Sequence, residues 1–172
     1  MVQEKINRVV DAKDLDRNFK FEVAERAGGE KLKACFACGT CTAGCPVREV
    51  NDRYNPRRII RMILLGMRKE VLESDFIWLC STCYTCSERC PQGVNIPEIM
   101  NVLKNMAVEA GRIPSGAKAQ ADLIRTHGRL YEIDEFDNKK REKANLPPVQ
   151  SKCDAIAKIF EVAGLDEVLK KG

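Results

Sequence analysis

Cys35-Phe-Ala-Cys38-Gly-Thr-Cys41-Thr-Ala-Gly-Cys45-Pro46 recurs, with the same cysteine spacing, as Cys80-Ser-Thr-Cys83-Tyr-Thr-Cys86-Ser-Glu-Arg-Cys90-Pro91. Each stretch reads C-x2-C-x2-C-x3-C-P, and together they hold all but one of the nine cysteines. A disulfide framework spreads its cysteines along the chain. Thiols packed this closely in a reducing compartment are better explained by metal binding. The remaining cysteine, Cys153, falls on an expected amphipathic helix and reads as a buried, inert thiol rather than a ligand or redox sensor.

The C-x2-C-x2-C-x3-C-P run is the one associated with [4Fe-4S] binding, and in two-cluster ferredoxins its fourth cysteine ligates the other cluster. The reason is geometric. Three thiolates spaced by two residues wrap three corners of a cubane from one loop, and the fourth corner needs a distant ligand. One cluster is therefore expected on Cys35, Cys38, Cys41 and Cys90, and a second on Cys80, Cys83, Cys86 and Cys45. Such crossing brings the clusters close together, as electron tunnelling requires. Small residues between the ligands, such as Ala37, Gly39, Thr40, Ser81 and Thr82, let backbone N–H groups approach the sulfurs and raise a cluster's potential. Structural zinc also uses C-x2-C pairs. It fits poorly with a third thiolate at the same spacing and a Cys-Pro, both present twice.

Outward from the cysteines the pattern is helical throughout, with no convincing strand, so the fold class is mainly α. Leu15, Phe19, Val23 and Ala27 recur at i+4 and predict a helix over residues 14–29, stopped by Gly28-Gly29. Asn55-Pro56 reads as an N-cap and first turn, followed by Ile59, Ile60, Ile63, Leu64 and Met67 on one face. Pro97 opens a similar stripe of Ile99, Val102, Leu103 and Met106 ending near Gly111, so cysteine run, connector and proline-started helix form a pseudo-repeat. Its connectors differ, Pro56 lying 11 positions beyond Cys45 and Pro97 lying 7 beyond Cys90. After Pro114 a further helix is expected to run to His127-Gly128. Residues 132–148 read as a charged loop or docking arm, and a last helix is expected from Cys153 to Ala163. The domain reading is an N-terminal helical arm (1–30), a two-cluster core (31–113) and a helical and loop extension for subunit docking (114–172).

Composition narrows the function. With 172 residues, 44% hydrophobic and 31% charged, the chain suits one compact domain with tails. Its net charge of +4 does not by itself imply nucleic acid. No apolar run approaches the roughly 20 residues of a membrane helix, and the start Met-Val-Gln-Glu-Lys-Ile lacks a secretory signal, so the expected address is cytoplasmic. Arg48, Arg53, Arg57, Arg58 and Arg61 read either as a solvated face or as a patch for cluster tuning or docking on an acidic partner. His127 reads as a helix C-terminal capping residue rather than a catalytic one. Phe76 and Trp78 read as core or cluster-shielding residues.

The two cysteine windows, the helical insert between them and the flanking helices resemble the C subunit of the heterodisulfide reductases of methanogenic archaea, within the wider group of alpha-helical ferredoxins. The resemblance is strongest over residues 31–111. It implies an alpha-helical ferredoxin with two cysteine-rich cluster-binding loops that relays electrons through two [4Fe-4S] clusters. The electrons would pass from a flavin-containing A subunit to a catalytic B subunit that reduces the coenzyme M–coenzyme B disulfide, with an associated hydrogenase or formate dehydrogenase. Neither nucleic acid nor membrane is an implied partner, and no catalytic residue is expected on this chain. Similar modules occur in succinate dehydrogenase, fumarate reductase and anaerobic glycerol-3-phosphate dehydrogenase. The chain shows neither the additional cysteine-bearing ferredoxin domain of the first nor the Cys-Cys-Gly segment of the heterodisulfide-reducing subunit. The alternatives are a relay subunit of another anaerobic dehydrogenase or, from a different class, a zinc-bound structural or nucleic-acid adaptor.

Overall fold

Residues 10–170 are described by the computed structural model, and the N-terminal hexapeptide read for a signal lies outside them. Among the described residues every regular element is helical. The chain divides into two compact units, residues 1–107 and 108–172.

In the first unit the helices are α1 (Phe19–Glu25), α2 (Thr40–Ala43), α3 (Pro46–Val50), α4 (Pro56–Leu65), α5 (Arg68–Leu72), α6 (Thr85–Glu88) and α7 (Ile96–Glu109), joined by three short 3-10 turns. The core is built by the two apolar stripes of the pseudo-repeat. Ile59, Ile60, Met62 and Ile63 of α4 are buried with Ile99, Met100, Val102, Leu103 and Met106 of α7, and Phe19, Val23, Leu32, Val71 and Ile77 complete the cluster. Fully burying side chains of this size is worth roughly 1.5–3 kcal/mol each, which is what holds short helices that would be unstable alone.

The first turn of each long helix is fixed in the same way. Asn55 caps α4, its side chain accepting from the Arg58 N–H at 2.9 Å while its carbonyl accepts from Ile59 N–H at 3.1 Å. Asn95 immediately precedes α7, and its carbonyl accepts from Ile99 N–H, also at 3.1 Å. α4 ends at Gly66, which adopts φ +82°; a Cβ there would stand 2.4 Å from the Asp16 carbonyl oxygen, so glycine is required on both counts.

The N-terminal helix is shorter than its i+4 pattern predicts. Phe19 and Val23 are buried as expected, but Leu15 precedes the helix and Ala27 follows it, exposed. Asp16 is the reason at one end: its N–H donates to the Gly66 carbonyl at 2.8 Å and its carboxylate accepts from Asn18 N–H at 2.9 Å, so it is committed outside a helix. At the other end Arg26 is already extended and Gly28 turns at φ +95°.

The second unit contains α8 (Ser115–His127), α9 (Glu135–Lys143), α10 (Asp154–Val162) and α11 (Leu165–Lys170). The loop expected over 132–148 is corrected here, because its centre is α9. A reciprocal capping box between Asp134 and Asp137 starts that helix, and Lys140, Arg141 and Lys143 favour its negative end. No apolar stripe marked it in the sequence because none of its residues is buried. α8 is closed by Gly128 in the left-handed region. His127 itself does not cap; its Nδ1 pairs with the Ser151 carbonyl at 2.9 Å. Cys153 stands half-buried just before α10 rather than on it, against Gly128, where a Cβ would meet the Cys153 Cβ at 2.8 Å.

Candidate metal centre

Both cysteine windows fold alike. Each begins in extended backbone at Cys35 or Cys80, turns through left-handed residues, and runs into a single helical turn that carries the third cysteine, Cys41 on α2 or Cys86 on α6. The left-handed residues are Ala37 (φ 62°) and Gly39 (φ 90°) in the first window, Thr82 (φ 51°) and Tyr84 (φ 60°) in the second. Non-glycine residues in this region carry strain of the order of 1–3 kcal/mol. The left-handed residues recur at equivalent positions, so the two windows share one curl.

The same pairing extends to the polar latches. Thr42, following Cys41, donates to the Asn55 side chain at 3.0 Å; Ser87, following Cys86, donates to the Asn95 side chain at 2.8 Å. Thr40 Oγ1 lies 3.4 Å from the Cys38 sulfur, and Thr85 Oγ1 lies 3.5 Å from that of Cys83. Each window is thereby locked to the N-terminus of its own long helix.

Cys35, Cys38 and Cys41 of the first window and Cys90 of the second line one pocket, together with Val94, Ile96 and Arg57. This is the quartet read from the sequence. The Val94 N–H donates to the Cys90 sulfur at 3.3 Å. On the other side burial pushes the Tyr54 phenol up, and the neighbouring Cys80, Cys45 and Cys86 add to it. Cys90 thus lies with the first window.

The thiols differ in character. Cys38 and Cys83 are exposed, and their hydrogen-bonded contacts with Thr40 and Thr85 hold each below its ordinary value. Cys41 and Cys86 are half-buried between the windows. Burial pushes both up, Cys86 to about 11, and the neighbouring cysteines add to it. Buried sulfurs that resist bearing charge alone are suited to ligation, since a metal ion deprotonates a coordinating thiol outright. Among the described residues no three His, Cys, Asp or Glu side chains converge on a single ion position. Three cysteines from one window joined by a fourth from the other are the donor set of a cubane, whereas tetrahedral zinc takes its thiolates from C-x2-C pairs.

Of the arginines, Arg53, Arg58 and Arg61 are exposed, Arg48 pairs with Asp52, and Arg57 lines the Cys35 cavity over Gly39. Arg89 covers Gly44 beside Cys45. Phe76 and Trp78 are half-buried against the core, Trp78 with Lys104 Nζ 6.0 Å from its ring. Sequence reading missed Tyr54, Val94 and the Asn55 and Asn95 latches. Aligning the repeat on the asparagine before each helix, rather than on the proline, brings them into register as Tyr54-Asn55 and Val94-Asn95.

A helical scaffold presenting two such loops defines an iron–sulfur protein, and residues 31–94 match the 4Fe-4S dicluster domain family. Relatives extend the match over most of the chain. The C subunit of the H(2):CoB-CoM heterodisulfide,ferredoxin reductase of Methanothermobacter thermautotrophicus is 31% identical over 91% of this chain and 87% of its own length. The iron-sulfur C 2 subunit of the CoB--CoM heterodisulfide reductase of Methanocaldococcus jannaschii is 37% identical over 81% and 77%. The C subunit of the Ferredoxin:CoB-CoM heterodisulfide reductase of Methanosarcina mazei is 39% identical over 72% and 76%. The chain belongs to the heterodisulfide reductase C-subunit family, the iron–sulfur electron-carrying subunits of an oxidoreductase complex. No helix among the described residues is long and apolar enough to cross a membrane.

Proposed function

We propose that the chain holds two [4Fe-4S] clusters, one on Cys35, Cys38, Cys41 and Cys90 and the other on Cys80, Cys83, Cys86 and Cys45. Through them it would relay electrons from a flavin subunit to a catalytic subunit that reduces the CoB-CoM disulfide. The observation that carries this reading is the cavity shared by three cysteines of one window and the last of the other. The cysteine sulfurs bind as thiolates, and the clusters supply one-electron capacity at two adjacent stations.

The protein's own groups do the rest. Thr40 and Thr85 orient the outer sulfurs, and the Asn55 and Asn95 latches fix the inner turns. Ile96 and Val94 keep water from the inner face of the first site. Cys38 and Cys83 reach the surface, which gives a redox partner short access to each site. The cytoplasm is the proposed compartment, its reducing poise keeping the thiols available. The segment from residue 114 onward is the proposed docking extension.

Anaerobic isolation of the tagged full chain from its host tests the reading. Co-purification of a flavin subunit with a heterodisulfide-reducing subunit is expected, and dithionite-bleached clusters in that complex are expected to recolour on addition of the CoB-CoM disulfide. Recolouring by a quinone analogue in a complex that includes membrane proteins, and none by the disulfide, would replace it with a quinone-linked relay.

A further inference from the structure

The residue after the second cysteine of each window, Gly39 or Tyr84, stands in the left-handed region, at φ 90° and 60°. Charge meets it with opposite sign in the two halves. Arg57, in the first turn of α4, lies over Gly39, its Nη1 3.6 Å from where a Cβ would stand. Apart from the cysteines it is the one ionisable side chain lining the pocket shared by Cys35, Cys38, Cys41 and Cys90, and among the described residues no carboxylate pairs with it. At Tyr84 the neighbour is Glu98, in the first turn of α7, whose carboxylate accepts from the phenol at 2.6 Å. The Glu98 stem lies against Gly28, where a Cβ would stand 2.7 Å from the Glu98 Cβ. Beside Cys45, the remaining ligand proposed for the second site, Arg48 and Arg89 are balanced by Glu49 and Asp52. Loop curl, threonine contacts and asparagine latches are matched between the two sites. The charge at this shared loop position is not.

We propose that Arg57 and Glu98 set the two clusters apart in potential, Arg57 raising that of the Cys35 cluster and Glu98 lowering that of the Cys80 cluster. The inference rests on the proposal that the two cysteine quartets hold clusters. Each reduction adds one electron, delivered by a redox partner, and makes a cluster one unit more negative; no bond forms or breaks and no proton moves. A fixed cation nearby stabilises the reduced form more than the oxidised one, and a fixed anion does the reverse. Arg57 and Glu98 together bias a single electron toward the Cys35 cluster.

The test is a reductive titration of the anaerobically purified, cluster-loaded full chain, followed by electron paramagnetic resonance at low ionic strength, where surface charges are least screened. The two couples are first assigned by which signal is lost in Cys45→Ser and which in Cys90→Ser. Arg57→Gln is expected to retain its iron and to move the couple of the Cys35 cluster to lower potential, with a smaller change or none at the other. Arg57→Lys, which keeps the charge, is expected to stay close to wild type. Glu98→Gln, which keeps an acceptor for Tyr84, is expected to move the couple of the Cys80 cluster to higher potential. A couple that stays put in either neutral variant while the iron is retained would overturn the proposal, as would an equal shift of both couples. A lysine variant shifted as far as the glutamine one would overturn it too, since the charge would then not be the cause. If Arg57→Gln loses iron, Glu98→Gln decides alone. Failure of the underlying reading is distinguishable, because it shows in the iron content and cysteine variants before Arg57 or Glu98 is touched.

Discussion

Residue identity matters most where a sulfur must be both exposed and ionisable, or buried and ligated. Cys38 and Cys83 combine exposure with hydrogen bonds that favour the thiolate, while burial opposes it at Cys41 and Cys86. After chelation of the metal, iodoacetamide at neutral pH is therefore expected to label Cys38 and Cys83 well before Cys41 and Cys86, as read by peptide mass spectrometry; equal rates would contradict this. A second residue-level prediction concerns Arg68, which donates to both Glu22 oxygens and to Asp16 at 3.3 Å. The Arg68 hydrogen bond, opposed by desolvation, holds the Glu22 carboxyl below its ordinary value. Because the folded pKa is depressed, this stabilisation is complete above the ordinary carboxylate range and is lost as pH falls through the folded value. Both side chains are more than a third exposed, so a double-mutant cycle of Glu22→Ala and Arg68→Ala at pH 7 is expected to give a coupling of about 0.5–1 kcal/mol. The matching curl of the two cysteine windows was legible in the sequence because each loop is local. Tyr54 was not, since its burial depends on α4 and α7 side chains that lie further along the chain.

Elements were legible in proportion to how much apolar surface they bury. α4 and α7 announced themselves through stripes that are buried in the structure, and Asn55-Pro56 marked the start of α4 correctly. α9 was invisible because it buries nothing and is held by its capping box, and α1 was overextended because Asp16 is bound to Gly66 instead of continuing a helix. The link between Gly66 and Asp16 gives a prediction for the element itself. Gly66→Ala is expected to destabilise the first unit by about 1–3 kcal/mol in chemical unfolding, from left-handed strain alone, with the contact at the Asp16 carbonyl adding to it. A stability unchanged from wild type would show that the α4 terminus is not held as described. In the second unit Asp134→Ala is expected to cost about 1 kcal/mol, with loss of helical signal from α9 in amide exchange.

For the molecule as a whole, the pseudo-repeat explains why short helices and strained loops persist. On the proposed ligation each window would hand its fourth cysteine to its neighbour, so neither site would be complete until both halves of the core had assembled. Metal ligation then adds to folding stability, and removal of iron by a chelator is expected to lower the thermal midpoint and the helical content of the first unit together. The crossed connectivity is tested most directly by iron analysis and electron paramagnetic resonance on anaerobically purified wild type, Cys45→Ser and Cys90→Ser. Wild type is expected to hold about eight irons per chain, two cubanes' worth. Cys45→Ser is expected to damage the cluster of Cys80, Cys83 and Cys86, and Cys90→Ser that of Cys35, Cys38 and Cys41. A zinc-loaded colourless protein, or variants that each lose the cluster of their own window, would contradict it.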